Sequence, residues 1–90
     1  MTAVSKLVEI TNKRGLHARS SAKFVALAST LSTPVTVEKD GHSVVGTSIM
    51  GLMMLGAAMG DHVTISADGD GAADAVKALV QLVESKFGEE

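Results

Sequence analysis

The spacing of apolar positions changes several times along the chain, and each change marks an element. Val4, Val8 and Ile10 share one face of an alternating segment, so Val4–Ile10 reads as a half-buried strand. Thr11–Gly15 is polar and closes on glycine, as a loop would. From Ala18 to Leu31 the period lengthens. Phe24, Leu27, Ala28 and Leu31 fall at i, i+3, i+4 and i+7, which predicts an amphipathic helix that Pro34 prevents from continuing. Val35 and Val37 then alternate with Thr36 and Glu38, Asp40–Gly41 supplies a tight turn, and Ser43–Val45 returns as the second arm of a hairpin. Thr47–Leu55 reads as a short helix with Thr47 or Ser48 at its N-cap, broken by Gly56 and Gly60. Val63, Ile65 and Ala67 mark a last strand. Asp68–Gly71 is a turn in which Asp70 is placed to cap a final helix with the stripe Val76, Leu79, Val80, Val83 and Phe87, and Gly88 is its stop.

The predicted order is strand, helix, strand, strand, helix, strand, helix. Alternating strands offer one apolar face, and three helices with one stripe each would cover it. The expected fold is α+β, a two-layer open-faced β-sandwich: a four-stranded, mostly antiparallel sheet with three helices on one face. No linker, repeat or low-complexity tract divides residues 1–90, so a single domain is expected.

Composition narrows the function. Apolar residues make up 46% and charged residues 20% of the chain, which suits a globular protein rather than a disordered one. The net charge of −2 and an aromatic content limited to two Phe argue against a nucleic-acid binder, which would need a basic face and stacking platforms. The absence of Cys excludes disulfides and thiolate zinc sites. Met1–Glu9 holds no apolar signal region, and the apolar stretch Ile49–Met59 falls well short of the ~20 residues of a membrane span, so a cytoplasmic protein without membrane insertion is expected.

The segment richest in chemistry is Gly15-Leu16-His17-Ala18-Arg19. It places a histidine after a glycine-ended loop and at the first turn of a predicted helix. The first N–H groups of a helix lack intrahelical partners and carry partial positive charge, which biases the imidazole toward its neutral, nucleophilic form. A phosphoryl group on that ring would point its oxygens at those N–H groups, and Arg19 would add charge-assisted hydrogen bonds. Lys13, Arg14, Arg19 and Lys23 gather around this loop as a local positive patch that would attract an acidic or phosphorylated partner. The alternative at this point is that His17 merely caps the helix.

These five residues resemble the phosphorylation-site motif of the histidine-containing phosphocarrier family HPr, of the phosphoenolpyruvate-dependent phosphotransferase system. Ser48-Ile49-Met50-Gly51-Leu52-Met53-Met54-Leu55-Gly56 resembles the regulatory-serine segment of the same family. The likeness spans essentially the whole chain. It implies a carrier rather than an enzyme, one that takes a phosphoryl group from phospho-Enzyme I on Nδ1 of His17, with Arg19 stabilising the phosphate, and passes it to an enzyme IIA. It also implies regulatory phosphorylation of Ser48 by an HPr kinase/phosphorylase, and a partner surface including Ala22, Ile49, Met50 and Met53. No cofactor or metal is expected, and the carrier is expected to be a monomer. Glu9-Ile10-Thr11-Asn12-Lys13 resembles the nitrogen-branch members more than the enteric sugar-transport ones, so sugar transport, nitrogen regulation or both are expected. The family usually has Pro after the motif arginine, where this chain has Ser20. The serine is expected to keep the helix start by hydrogen bonding, with some loss of rigidity.

The Ser48–Leu55 helix carries more apolar residues than one stripe can bury. Leu52 and Leu55 are assigned to the core, and Ile49, Met50 and Met53 to a Met-rich contact surface. This supports a second reading, a regulatory module that docks through this helix under the control of phosphorylation. Other motifs carry less. Asp68-Gly69-Asp70-Gly71 lacks the later ligands of a calcium loop, since Ala73 and Leu79 stand at the decisive positions. Gly51–Gly56 has phosphate-loop spacing but is followed by Ala57 and Ala58. His42 and His62 have no clustered carboxylates in the sequence. An independent hydrolase is excluded because no second acid or base accompanies His17.

Overall fold

A computed structural model describes residues 3–89. The elements are β1 (Ala3–Glu9), α1 (Ala18–Ser29), β2 (Val35–Lys39), β3 (His42–Val45), α2 (Ile49–Met54), β4 (His62–Asp68) and α3 (Ala72–Glu84), followed by a 3-10 turn at Lys86–Gly88. The strands form one antiparallel sheet in the order β1-β4-β2-β3, so β4, the last strand made, lies between β1 and β2. Its register pairs Val8 with Val63 and Val37 with Ile65. Val8, Val35, Val37, Val63, Ile65 and Ala67 are buried under the helices, while Leu7, Thr36 and Glu38 on the other face are exposed. The helices complete the core with Phe24, Leu52, Val76, Leu79 and Val83. The β2–β3 turn has positive φ at both Asp40 (52°) and Gly41 (82°), the form that matches the twist of a two-residue hairpin.

Several boundaries differ from the pattern: β1 is Ala3–Glu9 rather than Val4–Ile10, β3 starts at His42 rather than Ser43, and α2 is Ile49–Met54 rather than Thr47–Leu55. Helix α1 ends at Ser29, two residues before Leu31, with Thr30 as C-cap. The cap of α3 is Gly71 rather than Asp70: Gly71 is left-handed (φ 81°) and makes no side-chain cap bond. Asp70 contributes its carbonyl instead, which accepts from Thr33 Oγ1 at 2.5 Å. It stands one residue too early to cap, and Asp74 supplies the negative charge of the first turn. Phe87 does not extend the stripe of α3. The helix stops at Glu84, and Lys86 and Phe87 turn left-handed, which drives the Phe87 ring into the core from a reversed backbone (1% exposed).

The fold fixes the loop between β1 and α1 by stitching it to the segment after α2. Ile10 N–H donates to the Asp61 carbonyl at 2.8 Å, Gly60 N–H to the Ile10 carbonyl at 2.8 Å, and Leu16 N–H to the Ala57 carbonyl at 2.9 Å. At Gly15, φ is +65° and any Cβ would run into the Ala57 carbonyl oxygen, so glycine is required for both reasons.

Candidate functional site

The loop delivers His17 to the N-cap of α1 in an extended conformation. Its Nδ1 accepts from the Arg19 backbone N–H at 3.2 Å. The start of the helix is held reciprocally, because Ser20 Oγ accepts from the His17 N–H at 3.0 Å and donates to the Gly15 carbonyl at 2.7 Å. Ser20 is fully buried. The expected loss of rigidity is therefore offset by a capping box in which Ser20 takes the part of the usual Glu or Gln.

The other ring nitrogen meets a carboxylate that no motif indicated, which corrects the expectation that no second acid or base accompanies His17. His17 Nε2 lies 2.9 Å from Oε2 of Glu89, and Oε1 of the same carboxylate accepts from Asn12 Nδ2 at 3.0 Å. Asn12, 1% exposed, also donates to the Gly15 carbonyl at 2.9 Å. An Nδ1 that accepts and an Nε2 that faces a carboxylate assign the neutral ring as the Nε2–H tautomer. Desolvation pushes the Glu89 carboxyl up, but hydrogen bonds from Asn12 and His17, with the charges of His17 and Lys23, outweigh it and hold it below its ordinary value. With Glu89 against it the His17 side chain is only 15% exposed. Seventy-two residues separate the two partners, so no local pattern links them; the one hint is Gly88, where the chain can reverse.

Lys13, Arg14, Arg19 and Lys23 join His17, Gly88 and Glu89 around a shallow cavity of about 390 Å³, so the expected positive patch is assembled. Lys23 Nζ also donates to the Phe87 carbonyl at 2.8 Å. The residues assigned to the second motif lie outside this cavity. Ser48 is the N-cap of α2, and its hydroxyl accepts from Gly51 N–H at 3.0 Å. Leu52 and Leu55 are buried, whereas Ile49 (39%), Met50 (68%), Met53 (38%) and Met54 (80%) reach solvent. Ala22 on α1 is half-buried. A larger concavity of about 580 Å³ between the hairpin turn and α2 is lined by Lys39, His42 and Met54 among others and contains none of the predicted site residues. Among the described residues no helix is long and apolar enough to cross a membrane, and no group of three or more His, Asp or Glu could hold a metal ion.

Fold and site together define a small open-faced α+β protein with a half-sheltered imidazole at a helix N-terminus among cations. Residues 4–85 match the family described as PTS HPr component phosphorylation site. A phosphocarrier protein HPr of Neisseria meningitidis serogroup A is 49% identical over 82 residues, which cover 91% of this chain and 92% of that protein. A phosphocarrier protein NPr of Shewanella violacea is 37% identical over 89 residues, 99% of this chain and 98% of that one. The HPr of Thermoanaerobacter tengcongensis superposes with a TM-score of 0.88 at 53% identity, covering 100% of this chain and 99% of that one. A structure of an HPr dimer from that organism gives 0.76 at 55% identity, with 91% and 94% covered. The chain belongs to the HPr phosphocarrier family of the phosphotransferase system.

Proposed function

We propose that His17 accepts a phosphoryl group on Nδ1 from phospho-Enzyme I and passes it to an enzyme IIA, so that the chain carries the group and its partner enzymes turn it over. The observation that carries this reading is the different company of the two ring nitrogens. Nδ1 meets the Arg19 N–H at a helix N-terminus and Nε2 meets the Glu89 carboxylate, a pairing that assigns the lone pair to Nδ1 and the ring proton to Nε2. The electron pair of Nδ1 forms the new P–N bond as the donor's P–N bond breaks, and the Arg19 N–H then turns to a phosphoryl oxygen. Arg19 and the neighbouring cations offset the incoming charge. The shallow cavity suits a group that must be handed on, because it leaves room for two partners in turn. We assign the docking surface to Ala22, Ile49, Met50 and Met53, the work to the cytoplasm, and the acting form to a monomer. A phosphate on Ser48 would regulate docking. An NPr stands among the relatives beside more similar HPr proteins, and the proposed role covers sugar transport, nitrogen regulation or both.

Incubation with Enzyme I and labelled phosphoenolpyruvate, with and without each candidate enzyme IIA, tests the reading. Acid-labile label that appears on the chain and is lost to an enzyme IIA supports it. Absence of label sinks it. The second reading, a module that docks through α2, is favoured by the exposure of Met50 and Met54. It predicts partner binding that survives His17→Ala and is lost in Met50→Ala.

A further inference from the structure

The backbone that brings Glu89 to His17 is unusual. Lys86, Phe87 and Gly88 are consecutive residues of positive φ, at 60°, 57° and 72°. Two of them carry side chains, which rarely adopt this conformation and hold it only when their surroundings impose it. Here the buried Phe87 ring anchors the turn from inside, and Lys23 Nζ on the Phe87 carbonyl anchors it from outside. The reversal aims Glu89 back over α1. Its two carboxylate oxygens are engaged separately, one by Asn12 and the other by His17 Nε2. Asn12 is in turn bonded to the Gly15 carbonyl, so the loop and the carboxylate are set against each other through one buried amide.

We propose that Glu89 is a positioning residue of the His17 centre that holds the proton on Nε2 before and after Nδ1 takes a phosphoryl group. This rests on the carrier reading above. The chemistry gives such a group a use. When Nδ1 donates its pair to phosphorus, the Nε2 proton stays in place and the ring becomes an imidazolium. Lys13, Arg14, Arg19 and Lys23 face the same cavity and disfavour that charge; Glu89 is the carboxylate among the described residues that lines it. On onward transfer the P–Nδ1 bond breaks and its electron pair returns to the ring. With the proton still on Nε2 the departing group is a neutral imidazole. Without that proton it would be an imidazolate, a far poorer leaving group. Glu89 thus acts through the ring and not on the phosphoryl group, which distinguishes its part from that of Arg19.

Two variants separate charge from hydrogen bonding: Glu89→Gln keeps an acceptor and removes the charge, and Glu89→Ala removes both. The first measurement needs no donor: solvent exchange of the His17 Nε2 proton by NMR, in the unphosphorylated protein. Exchange is expected to be at least tenfold faster in Glu89→Ala than in the wild type. The second is hydrolysis of the loaded protein against pH after charging with Enzyme I and phosphoenolpyruvate. Its alkaline fall is expected to move toward lower pH in Glu89→Gln, and in Glu89→Ala as well. Wild-type exchange in Glu89→Ala, or an unmoved alkaline fall in Glu89→Gln, overturns the proposal while leaving the carrier reading intact. If the wild-type chain takes up no phosphoryl group, the carrier reading falls, and the exchange measurement alone decides whether Glu89 holds the proton.

Discussion

His17 has two ring nitrogens in different company, and that difference is the basis of the proposed chemistry. Arg19 meets this site twice: its backbone N–H reaches Nδ1, and its side chain belongs to a residue that lines the cavity. Arg19→Ala removes only the second. A charge-assisted hydrogen bond contributes about 1.5–3 kcal/mol when sheltered and less where water screens it. The expected outcome is transfer slowed about tenfold with an unchanged thermal melt; unchanged rates with both partners would take the guanidinium out of the mechanism. Glu89 makes a prediction on pH. Its carboxyl lies below its ordinary value in the folded protein, so the turn gains stability that is fully present above the ordinary carboxylate value and is lost as pH falls through the lowered one. Side-chain carbon NMR should find Glu89 titrating below an unstructured Glu. A titration at or above that value would contradict the contacts with Asn12 and His17. The placement of His17 and Arg19 at a helix N-terminus was legible in the sequence because that feature is local. Glu89 and Asn12 were not, since their roles depend on a chain reversal that brings residues 77 apart into contact.

Elements were predictable where periodicity extended over several turns or pairs. Strand alternation located the strands and the buried face, and Asp40–Gly41 indicated the hairpin. Errors fell at element ends, where caps compete. Asp70 looked like a cap by residue type, but a left-handed Gly71 takes the position. Phe87 fitted the helical stripe of α3 by spacing, yet it is buried through a left-handed turn. Burial was read correctly from the pattern while the backbone that achieves it was not. At the loop before α1, Gly15→Ala places a Cβ in a left-handed residue and against the Ala57 carbonyl. The left-handed conformation alone costs about 1–2 kcal/mol for a side-chain residue, so chemical denaturation should show at least that loss of stability. A wild-type midpoint would mean that the loop is freer than its hydrogen bonds imply. In α2, the assignment of Leu52 to the core and Met50 to solvent predicts opposite behaviour. Leu52→Ala should destabilise by about 2–5 kcal/mol, and Met50→Ala by less than about 0.5 kcal/mol. A melt that reverses this order would place the helix on its other face.

At the scale of the whole molecule, the helices close one side of the sheet and leave a shallow cationic cavity and an exposed Met-rich helix as separate features. On the proposed reading, a modification at one would act on the other through a partner that touches both. Ser48→Asp adds negative charge at the N-cap of α2, where the helix favours an anion, so stability should hold or rise slightly. The same charge sits beside Ile49, Met50 and Met53, and a docking partner must desolvate it. The expected result is a higher apparent KM for Enzyme I in steady-state titration, with an unaltered melt. An unchanged KM would separate α2 from the Enzyme I surface. The central claim concerns one atom, Nδ1 of His17. Nitrogen and phosphorus NMR on the chain charged by Enzyme I and phosphoenolpyruvate should find a single phosphoryl group, coupled to Nδ1 of His17, and none on a folded His17→Ala. Label at Nε2, or label that persists in His17→Ala at His42 or His62, would contradict it.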